Sequence, residues 1–96
     1  MSKKVNIAIQ VLPKVSDNRD YEVIDKAIEV IQKSGLECKV CPFETVIEGE
    51  YDKIMEILKQ IQLVCFKEGA EELLINLKMQ IRKETDVTIQ EKMIKY

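Results

Sequence analysis

From Val5 to Leu12 hydrophobic and polar positions alternate, with Val5, Ile7, Ile9 and Val11 on one side and Asn6, Ala8, Gln10 and Leu12 on the other. A period of two places successive side chains on opposite faces of a strand. The segment is therefore expected to be a strand with one apolar and one partly polar face, closed by Pro13. Lys14 to Arg19 is a polar loop, and beyond it the period changes. Ile24, Ala27, Ile28 and Ile31 recur at helical spacing, with Asp25, Lys26, Glu29 and Lys33 facing water. Asp20 is placed to cap this helix and Ser34-Gly35 to end it, Gly35 in the left-handed conformation. Leu36 to Cys41 and Thr45 to Gly49 are short strands whose tight connection predicts a hairpin. Tyr51, Ile54, Met55, Leu58, Ile61, Gln62 and Cys65 form the stripe of a second helix, which runs to about Lys67 and is closed by Gly69. Leu73 to Ile81 alternates again, Arg82 to Val87 is a polar connection, and Thr88-Ile89-Gln90-Glu91 has capping-box spacing for a short last helix.

The order is βαββαβ plus a terminal helix, which predicts one α+β domain over residues 1–96. Its expected architecture is a ferredoxin-like sandwich with a four-stranded antiparallel sheet. Right-handed crossovers would put both long helices on one sheet face. The other face would carry Asn6, Ala8, Gln10, either Thr45 or Glu48, Asn76, Lys78 and Gln80. That mixture suits a solvated face, a face paired with another sheet, or part of a ligand site.

Composition narrows the function. The chain of 96 residues is 46% hydrophobic and 33% charged, with net charge −2. It lacks the basic footprint of a nucleic-acid binder, and its apolar runs fall short of the roughly 20 residues that span a bilayer. Three cysteines without a secretion signal suggest a reduced, cytoplasmic setting. There is no histidine, which removes Ser-His and Cys-His nucleophile pairs and imidazole metal ligands. An enzyme, a resident cofactor and a metal site are not expected.

Cys38-Lys39-Val40-Cys41 has C-x-x-C spacing, but three residues of strand span roughly 10 Å and set the two thiols on opposite faces. They are expected to be structural, as is Cys65 on its helix stripe. Glu50 and Asp52 suit a helix N-terminus, where the macrodipole favours carboxylates. Glu48 lies within a strand and is the stronger candidate for a ligand, with Gln10 and Thr45 as possible neighbours.

The wording Pro42-Phe43-Glu44-Thr45-Val46-Ile47-Glu48-Gly49-Glu50, with Gln10-Val11-Leu12-Pro13, Val23-Ile24-Asp25-Lys26-Ala27-Ile28 and Ser34-Gly35-Leu36 before it, resembles the YkoF-like thiamine-binding family over nearly the whole chain. The resemblance implies a ferredoxin-like domain that assembles as a homodimer or homotetramer. It implies binding of thiamine or its hydroxymethylpyrimidine half without catalysis. It carries Gln10, Thr45, Glu48, Gly49 and Asn76 onto this chain as ligand-site residues. Phe43 could stack on the ring and Glu48 could accept from the pyrimidine amino group. The expected partners are a small molecule and further copies of the chain, with no nucleic acid and no membrane. The alternative is an oligomeric regulatory module for a different small metabolite.

Overall fold

The computed structural model describes residues 3–96. Its elements are β1 (Lys4–Lys14), α1 (Asp20–Lys33), β2 (Glu37–Val40), β3 (Thr45–Glu50), α2 (Tyr51–Lys67), β4 (Glu72–Gln80) and α3 (Ile89–Met93). The strands form one antiparallel sheet in the order β2-β3-β1-β4. This is the ferredoxin-like arrangement expected from the alternation of periods. The β2–β3 hairpin is present, and Cys41 N–H donates to Glu44 C=O across its connection at 3.0 Å.

Register decides which residues share a face. Ile7 lies opposite Ile47 and Met79, and Ile9 lies opposite Thr45 and Leu77. This face meets the helices. Val5, Ile7, Ile9 and Ile47 bury against Val23, Ala27 and Ile31 of α1 and Ile54, Ile57, Ile61 and Cys65 of α2. The open face carries the rows Asn6–Glu48–Gln80, Ala8–Val46–Lys78 and Gln10–Asn76. Of the alternatives Thr45 and Glu48, Glu48 lies on this face and Thr45 points to the helix side, because the shared register fixes the parity of the whole strand.

Several local expectations are corrected. The deepest stripe of α1 is Val23, Ala27 and Ile31; Ile24 and Ile28 are turned to one side and only half-buried. The sequence offers adjacent apolar columns, and the helix tilt chooses between them. On α2, Ile57 is buried while Tyr51 and Gln62 are exposed. Arg19, not Asp20, occupies the N-cap of α1, and no side chain caps it. Gly35 has φ +80°, as its role in ending α1 requires. Gly49 answers a packing need, since a Cβ there would stand 2.9 Å from Leu36 Cδ1.

The segment after β4 folds back over one end of the open face. Val87, expected in a polar connection, is completely buried. Its N–H donates to Lys4 C=O at 2.9 Å, and its C=O accepts from Asn6 Nδ2 at 3.0 Å. The capping box forms as its spacing predicts: Glu91 N–H donates to Thr88 Oγ1 at 3.1 Å, and Thr88 N–H donates to Glu91 Oε1 at 2.9 Å.

Candidate functional site

The site originates in a mismatch of strand lengths. Pairing of β1 with β3 stops at Ile9–Thr45, whereas pairing of β1 with β4 continues to Lys14–Glu72. From residue 10 onward, one edge of β1 therefore has no strand beside it. The carbonyls of Lys4 and Lys14 both accept on the side away from β3, from Val87 and Glu71. Alternation along a strand then turns the N–H and C=O of Val11 and the C=O of Pro13 toward the free edge. Between this edge, α1 and the β2–β3 connection lies a cleft of about 570 Å³. Small-molecule sites commonly fall at about 300–1,000 Å³.

The sequence of α1 furnishes one wall. Ile24 and Ile28, left over from the core stripe, present apolar surface to the cleft, while Asp20, Tyr21 and Asp25 reach its rim. The hairpin connection furnishes the other wall with Cys41, Phe43 and Glu44. Tyr21 and Phe43, on opposite walls of the cleft, are 82% and 81% exposed. Thr45 closes the inner end. The residue is 5% exposed and lines the cleft. Its hydroxyl is a polar group on the wall of a space that a ligand can fill, whereas the buried side-chain atom without a partner among the described residues is Asn6 Oδ1, beneath the C-terminal segment.

Two polar pairs lie at the cleft's open-face margin. Asn76 Nδ2 donates to Gln10 Oε1 at 3.1 Å, leaving the Gln10 Nε2 hydrogens free to donate elsewhere. Lys78 Nζ pairs with Glu44 Oε2 at 3.1 Å.

Glu48 belongs to a second constellation. It is 7% exposed, on the open face, and its Oε1 accepts from Ile89 N–H at 2.6 Å, with Lys4 Nζ 4.0 Å from Oε2. It therefore holds the start of α3. Nearby, Arg82 forms a two-toothed contact with Glu91 at 2.8 and 2.7 Å. That contact, with the Thr88 N–H, pulls the Glu91 carboxyl down to about 2.

The six residues singled out by sequence thus separate. Gln10, Phe43 and Thr45 line the cleft. Asn76 touches it only through Gln10, Gly49 packs on Leu36, and Glu48 secures the C-terminal segment. Asp20, Tyr21, Ile24 and Asp25 were not anticipated as site residues. Asp20, Tyr21 and Asp25 resemble any solvated flank and Ile24 reads as part of the core stripe, and only the early end of β3 gives them a cavity to face. The cysteines are free; Cys41 lies beyond the end of β2, and burial pushes the Cys65 thiol up, away from reactivity. Among the described residues no group of three or more Cys, Asp or Glu could hold a metal ion, and no helix is long and apolar enough to cross a membrane.

Comparison with known proteins covers the same span. A UPF0045 protein of Clostridium perfringens is 43% identical over 91 residues, 95% of each chain. A solved domain of unknown function from Bacillus cereus superposes with a TM-score of 0.95 at 42% identity, covering 100% of this chain and 92% of the other. A proposed thiamine biosynthesis/salvage protein of Thermotoga maritima superposes with a TM-score of 0.88 at 36% identity, covering 97% and 98%. Residues 7–96 match the family described as thiamine-binding protein, a description by binding and not by a reaction. The chain belongs to the thiamine-binding protein family.

Proposed function

We propose that the cleft beside β1 binds thiamine or its hydroxymethylpyrimidine moiety, without catalysis. The observation that carries this reading is a cleft of about 570 Å³, the size of a small-molecule site, which sets the apolar Ile24 and Ile28 beside the polar Gln10 and Thr45 and the unpaired edge of β1. The family and the described role of the Thermotoga relative supply the ligand class. An aminopyrimidine offers ring nitrogens that accept and an amino group that donates. Thr45 Oγ1 can serve either, Gln10 Nε2 can donate to a ring nitrogen, and the Val11 and Pro13 carbonyls can accept from the amino group. Ile24 and Ile28 give the ring an apolar bed, and Phe43 and Tyr21 can close over it. A thiazolium cation would lie near Asp20 and Asp25, where carboxylates and aromatic faces both favour it.

Calorimetric titration with thiamine tests this reading, using Thr45→Val as the diagnostic variant. Wild type should bind with one ligand per cleft, and the variant should bind about threefold to tenfold more weakly, the usual worth of one hydrogen bond. Absence of binding by folded wild type, or an unchanged affinity in the variant, would refute it.

A further inference from the structure

We infer that the cleft discriminates against phosphorylated ligands, with Asp20 and Asp25 as the specificity-determining residues; this rests on the cleft being the thiamine site. The charged groups on its lining are Asp20, Asp25 and Glu44, and no lysine or arginine is among them. Glu44 is compensated by Lys78 at 3.1 Å. Asp20 and Asp25 have no ion-pair partner among the described residues. Arg19, next to Asp20 in sequence, is engaged elsewhere: its Nε donates to Glu22 at 2.7 Å, and its Nη1 donates to the Glu68 carbonyl at 3.1 Å. A phosphoester in the cleft would therefore meet two uncompensated carboxylates.

One feature of the fold works the other way. The N-terminus of α1 borders the cleft, and a helix N-terminus carries roughly half a positive charge. Asp20 itself and Glu22 sit in that first turn and more than cancel it. The sum at the rim is negative, which suits a thiazolium cation or a neutral pyrimidine alcohol and repels a phosphate.

The test compares thiamine with thiamine monophosphate by calorimetry at low salt, in wild type, in Asp20→Asn/Asp25→Asn and in Glu56→Gln. Wild type should prefer thiamine at least about tenfold. In the double variant the ratio should collapse toward unity, thiamine losing affinity as the monophosphate gains it. Glu56→Gln removes an exposed carboxylate of α2 that does not line the cleft and should leave the ratio close to that of wild type. Raising the ionic strength should narrow the wild-type ratio, because the interaction is between accessible charges; this arm serves if the double variant does not fold. Equal affinities for the two ligands in wild type would overturn the inference while leaving the cleft as the site. Binding of neither ligand would overturn both.

Discussion

Replacing the Thr45 hydroxyl with a methyl group should move stability and binding in opposite directions. Thr and Val have the same branching, so Thr45→Val leaves the helix-side packing unchanged. It replaces the hydroxyl of a residue that is only 5% exposed by apolar surface, and burial of apolar surface is favourable. Thermal unfolding without ligand should therefore occur at an equal or higher temperature than in wild type, while thiamine affinity falls. A drop in both would mean that the hydroxyl has a partner within the protein. Gly49 makes a different residue-scale prediction. Its missing Cβ leaves room for Leu36 Cδ1, which would lie only 2.9 Å away. Gly49→Ala should cost about 1–3 kcal/mol in chemical denaturation by overpacking, and most of that cost should vanish in a Leu36→Ala background. At this scale the sequence was ambiguous for a physical reason. Thr45 and Glu48 are three positions apart and must face opposite sides of β3, but which one meets the helices depends on register with β1, a long-range contact that local composition does not encode.

The last helix and the segment leading to it form an element with its own stability. Glu48 accepts the Ile89 N–H, Asn6 donates to Val87, and Arg82 clasps Glu91. Glu48→Gln replaces a charged acceptor by a neutral one, a difference of about 1 kcal/mol. Exchange of the Ile89 amide should quicken roughly fivefold while the amides of β1 keep their protection. The clasp should also respond to acid. Glu91 titrates at about 2 when folded against an ordinary 4.5. A lowered folded pKa gives stability that is present above the ordinary value and is lost as pH falls through the folded one. Val87 and Ile89 protection should therefore be constant above about pH 4.5 and decline toward pH 2, and carboxyl titration by NMR should place Glu91 well below the ordinary 4.5. Much at this scale was visible in sequence: alternation gave the strands, and Thr88-x-x-Glu91 gave the capping box. Val87 was not, because an isolated valine in a polar stretch shows no period, and its burial comes from the fold-back onto Asn6.

For the molecule as a whole, the order of elements was enough to predict the βαββαβ topology, since short connections and right-handed crossovers leave few alternatives. The cleft was not predictable in the same way. It exists because β3 stops pairing at Thr45 while β1 runs on beside β4 to Lys14, and no residue signal marks that difference. The same topology leaves β4 as an edge of nine residues, with Leu74, Leu77 and Met79 exposed along it. A long apolar edge invites pairing with another chain. We propose that copies of the chain associate, and light scattering at micromolar concentration should give the mass of a dimer or tetramer; the mass of a single chain would contradict it.

Where the ligand lies is measured most directly by NMR shift mapping of the backbone amides during titration with thiamine. The largest changes are expected at Gln10 and Val11, at Tyr21 to Ile28, and at Cys41 to Thr45, the three walls of the cleft. Glu48, Ile89 and their neighbours should shift little. Changes concentrated instead around Glu48 and Ile89, with the cleft amides unmoved, would contradict the account.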